Sequence, residues 1–188
     1  MDKRALREQA VFHRDRLERT DEDFEAAARV FMADINPSKN QIVAGYWPAG
    51  REFDVRFILD DCLKAGIVCA LPIIQKDSRE LKFARWDETI PLSEGPFGIM
   101  EPAGADFVLP DIVLTPMLAF DRKGHRLGYG KGYYDATIEA LRAQKDILAI
   151  GVGYAEQAVL FNLPAESHDQ PLDVVLTPQG LQDFRKEG

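Results

Sequence analysis

The densest run of residues that could do chemistry extends from Phe120 to Asp135 and reads Phe-Asp-Arg-Lys-Gly-His-Arg-Leu-Gly-Tyr-Gly-Lys-Gly-Tyr-Tyr-Asp. Four of the nine residues from Gly124 to Gly132 are glycine. Glycine permits positive φ and a close approach of the backbone to a ligand. Successive N–H groups can then form an anion nest, to which the N-terminus of a following helix adds its partial positive charge. Arg126 and Lys131 supply full charges, so the segment suits phosphates. It is not a Walker A loop, because Lys131 is followed by Gly132 rather than Ser or Thr. Nor do Gly128, Gly130 and Gly132 have the spacing of a dinucleotide-binding fingerprint. A merely flexible turn is the plainer reading, but the dense interleaving of basic and aromatic residues weighs against it.

Other candidates lie far away in sequence. Lys3 and Arg7 are four residues apart on an expected helix and share a face, with Arg14 and, less closely, Arg4 near the same side. Alone, that pattern describes a solvated helix face; it becomes a site only if the face meets the Gly-rich loop. Asp135, Asp169 and Asp173 are candidate metal ligands, since Mg²⁺ is typically held by one or two carboxylates together with phosphate oxygens and water. Asp173, just before an apolar run, could equally be a strand cap. His125 and His168 are far apart and have no Cys beside them, which argues against zinc. Trp47 and Glu52 flank a loop after an apolar run. Phe83, Trp86 and Phe97 add aromatic surface that could stack on a flat heterocycle, although core packing explains each one alone. There is no nucleophile elbow, so a covalent nucleophile is not indicated, and the inventory favours positioning and phosphate electrostatics.

Elements must bring these residues together. Leu6, Ala10, His13 and Leu17 recur at helical spacing, and a second helix is expected from the capping cluster at residues 20–23 to just before Asn36-Pro37. Short apolar runs at 42–47, 67–71, 111–116, 147–152 and 173–178 read as strands buried on both faces. Helical segments near 54–65 and 131–144 fall between them. This alternation predicts an α/β layered fold with a mainly parallel sheet. Residues 82–86 could add a short strand, while the prolines and glycines of 73–110 predict long loops.

The 188 residues suit one domain, residues 1–188. With 23 Lys+Arg against 31 Asp+Glu, the net charge is −8, which argues against general nucleic-acid binding. The longest apolar run, residues 66–74, is far short of the ~20 residues that span a bilayer. A charged start with no apolar leader, and two isolated cysteines in apolar stretches, point to the cytoplasm.

The Phe120–Asp135 string resembles the signature of 5-formyltetrahydrofolate cyclo-ligases, also called 5,10-methenyltetrahydrofolate synthetases. The resemblance extends to Lys3-x-x-x-Arg7, Trp47 with Glu52, Phe97-Gly98-Ile99-x-Glu101-Pro102 and His168-Asp169-x-Pro171-x-Asp173. It implies an ATP- and Mg²⁺-dependent conversion of 5-formyltetrahydrofolate to 5,10-methenyltetrahydrofolate. The formyl oxygen takes the γ-phosphoryl group, a neighbouring folate nitrogen closes the ring, and phosphate leaves. By that resemblance Lys3, Arg7, Arg126, Leu127, Gly128, Tyr129, Gly130, Lys131, Gly132, Tyr133 and Tyr134 would bind ATP, with Lys131 and Arg126 acting in catalysis. Trp47 and Glu52 would line the folate pocket, with Phe83 and Trp86 as further candidates. Asp135 and Asp169 would bind Mg²⁺, with Asp173 an alternative second ligand. Leu81 and Ala136 depart from the common family pattern, where Met and Arg stand. The expected molecule is a monomeric, Rossmann-like α/β enzyme acting on two small molecules, with neither nucleic acid nor membrane as partner. A ligase or kinase acting on another small substrate, and a non-catalytic nucleotide- or folate-binding module, are the rival readings.

Overall fold

The computed structural model describes residues 2–104 and 106–185. Eight strands form one sheet in the order β12-β11-β10-β7-β1-β2-β3-β6. In chain order they are β1 (Ile42–Ala44), β2 (Val68–Ile73), β3 (Lys82–Trp86), β6 (Phe107–Val108), β7 (Ile112–Pro116), β10 (Leu148–Val152), β11 (Val174–Thr177) and β12 (Gly180–Asp183). The five central strands β11, β10, β7, β1 and β2 run parallel, while β12, β3 and β6 pair antiparallel at the edges.

Strand periodicity explains the layers. Successive side chains point to opposite faces, so Val43, Cys69, Ile112 and Leu114 join one core cluster while Ala44, Ala70 and Val113 join another. Helices α2 (Asp21–Val30) and α3 (Arg56–Lys64) cover the first face through Phe24, Ala27, Ala28, Ile58, Leu59 and Cys62. Helix α4 (Tyr133–Arg142) covers the other through Leu141. Both faces are therefore dry, which is why the strands read as unbroken apolar runs.

Helix α1 (Lys3–Asp15) lies outside these layers. Asp2 caps it by accepting from the Arg4 amide, and Leu6 packs it onto Leu118, Ala119, Leu127 and Leu163. Helix α2 is capped by Thr20, which accepts from the Asp23 amide. It continues as a π turn, Phe31–Ile35, that ends on Asn36 with φ 50°. The expected break before Asn36-Pro37 is thus met by a left-handed residue that stops the helix.

The region expected to be irregular is more ordered than its prolines suggest. Strands β4 (Leu92–Glu94) and β5 (Met100–Pro102) form a hairpin around a 3₁₀ turn, Pro96–Gly98, and β6 adds an edge strand. A second small ribbon, β8 (Ala119–Phe120) with β9 (Arg126–Leu127), carries the Gly-rich segment. These short pairings leave no hydrophobic period to read in the sequence. Among the described residues, no helix is long and apolar enough to cross a membrane.

The sheet order fixes where a ligand can bind. From β1 the chain winds one way through α3 to β2; from β7 it winds the other way through α4 to β10. In open α/β sheets the crevice at such a switch point, beyond the carboxyl ends of the strands, receives ligands. Tyr46 and Trp47, just past β1, and Pro116, at the end of β7, stand there.

Candidate active site

A cleft of about 720 Å³ opens at this point, within the usual range of small-molecule sites. Lys3, Arg7, Trp47, Glu52, Asp169 and all residues from Arg126 to Asp135 line it. Residues from both ends and the middle of the chain are thereby brought together.

The Gly-rich loop is held from two sides. On one, the buried Asp121 carboxylate accepts from the amides of Lys123, His125 and Leu163 and pairs with the His125 ring at 3.0 Å. Burial pushes Asp121 up, yet these donors hold it below the ordinary aspartate value. This carboxylate shapes the turn that presents Arg126. On the other side, Arg7 Nε donates to the Gly128 carbonyl at 3.0 Å. Gly130 has φ +91°, and a Cβ there would come within 2.9 Å of Arg7 Cζ. Gly132, with φ +72°, precedes the first turn of α4. The glycines thus serve two ends: a left-handed path and room for a guanidinium pressed on the loop.

The basic groups are already placed. Lys3 Nζ is 2.8 Å from Asp169 and 3.0 Å from Glu166. Burial lowers the Lys3 pKa, but the two carboxylates outweigh it and leave it raised. Arg126 pairs with Asp135 at 2.8 Å and lies over the Tyr134 ring. Its Nε is buried with no hydrogen-bond partner among the described residues, and an orphan donor of that kind is costly unless a ligand supplies an acceptor. The Lys131 ammonium sits 3.0 Å from the centre of the Phe97 ring.

The donor set at Asp135 and Asp169 fits a magnesium ion that keeps phosphate and water ligands. Asp135 Oδ1 takes both Arg126 and the Gln170 amide. Asp169 Oδ2 takes both Lys3 and the Glu166 amide. In each carboxylate these bonds fall on one oxygen. Among the described residues, no group of three or more His, Cys, Asp or Glu could hold a metal ion alone, so an all-protein cage is not the design. Asp173 stands elsewhere. It pairs with Arg142 at 3.1 Å and accepts from the Ala149 amide at 2.7 Å, before β11. It is the strand cap, and Asp169 is the aspartate in the cleft.

On the far wall, Trp47 is backed edge-on by Trp86 at 5.8 Å and covered by Arg56 at 5.0 Å. Glu52 is 8% exposed, and its Oε2 accepts from the Ala49 amide. Burial pushes its carboxyl above the usual value, against the opposing pull of Ala49, Tyr129 and Arg14.

Two expected pocket residues do not line the cleft. Phe83, 2% exposed, packs with Ala70, Leu81, Val113 and Leu141 under α4. Trp86 supports Trp47 from within the core. Both sit on β3, whose sides are covered, so their aromatic character reflects burial. Tyr46, Leu81, Phe97 and Arg14 line the cleft instead. Of these, two had a sequence signal: Arg14 shares the face of Lys3 and Arg7, and Phe97 stands among the aromatics of the irregular region.

An open α/β sheet with a Gly-rich loop and an apolar-walled pocket at its switch point places the molecule among the α/β proteins that receive a small-molecule ligand there. Comparison narrows this: the chain belongs to the 5-formyltetrahydrofolate cyclo-ligase family, whose model matches residues 1–178. It is 39% identical over 140 residues to the 5-formyltetrahydrofolate cyclo-ligase of Haemophilus influenzae, covering 71% of this chain and 74% of that one. It is 32% identical over 145 residues to the enzyme of the same name from Mycolicibacterium smegmatis, covering 73% of each. The structure of Aquifex aeolicus 5,10-methenyltetrahydrofolate synthetase superposes with a TM-score of 0.80 at 30% identity, covering 99% of this chain and 94% of that one.

Proposed function

We propose that the chain performs the ATP-dependent conversion of 5-formyltetrahydrofolate to 5,10-methenyltetrahydrofolate, releasing ADP and phosphate. The observation that carries this reading is the single cleft in which the Gly-rich loop and the Trp47–Glu52 wall face one space. A phosphoryl donor on the loop is thereby set beside an acceptor on the wall.

On this reading the amides from Gly128 to Gly132 cradle the phosphates, assisted by Lys3, Arg7 and the N-terminus of α4. Leu127, Tyr133 and Tyr134 shape the walls. Trp47 packs on the folate and Glu52 accepts from the N–H edge of its pterin. The formyl oxygen attacks the γ-phosphorus and the bond to the ADP oxygen breaks. The neighbouring folate nitrogen, the secondary amine that joins the pterin arm to the aryl ring, then attacks the activated formyl carbon and gives up its proton, and phosphate departs as the C–O bond breaks. No covalent protein nucleophile is required, since alignment and charge neutralisation supply most of the rate in phosphoryl transfer. Lys131 and Arg126 stabilise charge on the transferring group. Asp135 and Asp169 would hold Mg²⁺, which supplies neutralisation of phosphate oxygens when bound.

We further read residues 1–188 as one domain, of which residues 1, 105 and 186–188 lie outside the described residues. The working unit is a monomer on this reading. The partners are the two small molecules, with no nucleic acid or membrane. A cytoplasmic setting agrees with Cys62 and Cys69 both being free and buried.

The test is direct. Purified protein with ATP, Mg²⁺ and 5-formyltetrahydrofolate is expected to generate the ultraviolet absorbance of the methenyl product. Unchanged absorbance from a protein shown to bind ATP would sink the folate assignment.

A further inference from the structure

Arg14 is 5% exposed, an unusual burial for a guanidinium, and it has no place in the phosphate-binding scheme above. All three of its nitrogens are engaged. Nε and Nη2 donate to Asp15 Oδ1 at 3.0 and 2.8 Å, and Nη1 donates to the Tyr129 hydroxyl. A hydroxyl that accepts from a guanidinium directs its single proton elsewhere, and Glu52, which lines the same cleft, is the carboxylate that acts on it. Arg14, Tyr129 and Glu52 thus stand together in the cleft, from α1 through the Gly-rich loop to the wall that carries Trp47.

We infer that Arg14 is a positioning residue for the Glu52 carboxylate: by fixing the Tyr129 hydroxyl as a donor to Glu52, it keeps Glu52 an ionised acceptor for the N–H edge of a bound pterin. This rests on the folate reading of the cleft.

The surroundings of Glu52 show why such a device is needed. Tyr46 from the end of β1, Tyr129 from the loop and Tyr134 from α4 all stand close enough for the Glu52 charge to raise them. Burial is the largest cause for each, and Tyr129 is pushed up to about 12. None of these phenols brings a positive charge. Asp54, the nearby carboxylate that also acts on Tyr46, is paired with Arg56. Arg126 acts on Tyr134 and is committed to Asp135. Among the described residues, Arg14, bonded to Tyr129 in the same cleft, is thus the cation that bears on Glu52 itself. A buried carboxylate without such a partner takes up a proton. Protonated Glu52 would offer the pterin a donor where an acceptor is required.

The experiment compares wild type with Arg14→Met, Arg14→Lys, Tyr129→Phe and Glu52→Gln. Arg14→Met keeps the apolar stem of the side chain and removes its guanidinium, with the charge and donors. Two readouts are taken: kcat/KM for 5-formyltetrahydrofolate against pH at saturating ATP and Mg²⁺, and the ¹³C carboxyl titration of Glu52 in the ligand-free protein, assigned with Glu52→Gln. Arg14→Met and Tyr129→Phe are expected to move the acid limb and the Glu52 midpoint to higher pH by about one unit. The sign follows from Glu52 binding its proton more readily once the opposing charge or donor is lost. Arg14→Lys restores part of the shift, and Glu52→Gln loses that limb. A folded Arg14→Met with a wild-type Glu52 midpoint overturns the inference. Should Arg14→Met not fold, a wild-type midpoint in Tyr129→Phe overturns it equally. A shifted midpoint in a protein that leaves 5-formyltetrahydrofolate unconverted keeps the relay and overturns its assignment to folate, a result that marks failure of the functional reading.

Discussion

Lys131 is the residue whose two environments differ most. In the ligand-free cleft its ammonium rests on the Phe97 ring, which is itself 64% exposed on a turn with φ +62°. An aromatic face attracts a cation but cannot satisfy its three donors. A transferring phosphoryl group can, so on the proposed function the contact with Lys131 would strengthen as the reaction proceeds. Lys131→Ala is expected to lower kcat by about 10²–10³-fold, while the folate dissociation constant changes much less. Steady-state kinetics paired with equilibrium folate binding separates the two, and equal losses would place Lys131 in ground-state binding. The same scale shows the limit of reading single residues. An aspartate before an apolar strand and an aspartate in a ligand pocket look alike in sequence. Asp173 is separated from Asp169 only by its partners, Arg142 and the Ala149 amide.

At the level of elements, the site is a junction between α1 and the loop that follows β9. Neither holds its geometry alone. The loop is pinned by Arg7 at Gly128 and by Asp121 at its base. The helix is pinned by Leu6 and by Lys3 on Asp169. Gly130 is the point of contact, and an added methyl there meets both a positive φ and the Arg7 guanidinium. Gly130→Ala is expected to cost more than about 1 kcal/mol of stability, since alanine is strained at positive φ. It is also expected to raise the KM for ATP by displacing Arg7. Urea unfolding and ATP titration measure the two effects, and an unchanged KM for ATP would show that Arg7 does not contact the nucleotide. Much of this junction was legible. The 3, 7, 14 spacing declares a common helix face, and the glycine density declares a ligand loop. Their meeting was not legible, because it depends on packing between segments more than 110 residues apart.

Over the whole molecule, the charge distribution matters more than its sum. The chain carries −8, yet six Lys and Arg side chains meet five carboxylates around the cleft. An anion is met there by a field unlike that of the remaining surface. The sheet likewise separates the two roles an aromatic residue can have. Trp47, beyond the end of β1, is in the cleft, whereas Phe83 and Trp86, within β3, are in the core. Phe83→Ala is therefore expected to cost about 3–5 kcal/mol of stability and to leave the folate KM of the folded protein unchanged. Urea denaturation and kinetics well below the midpoint test this, and a raised KM without loss of stability would return Phe83 to the pocket.

The amino-acid sequence by itself determined the layered α/β architecture, because apolar runs and helical spacing record burial on two faces and on one. It also marked the Gly-rich segment that lines the cleft, because positive φ at Gly130 and Gly132 leaves its mark as glycine. The tertiary structure alone decided which distant groups share a wall, and hence that Arg14 reaches the Tyr129 hydroxyl beside Glu52 in one cleft. The physical reason is that such contacts follow from sheet order and helix docking. The divergence of the chain at β1 and β7 opens one crevice, and only residues at its rim are free to meet a ligand.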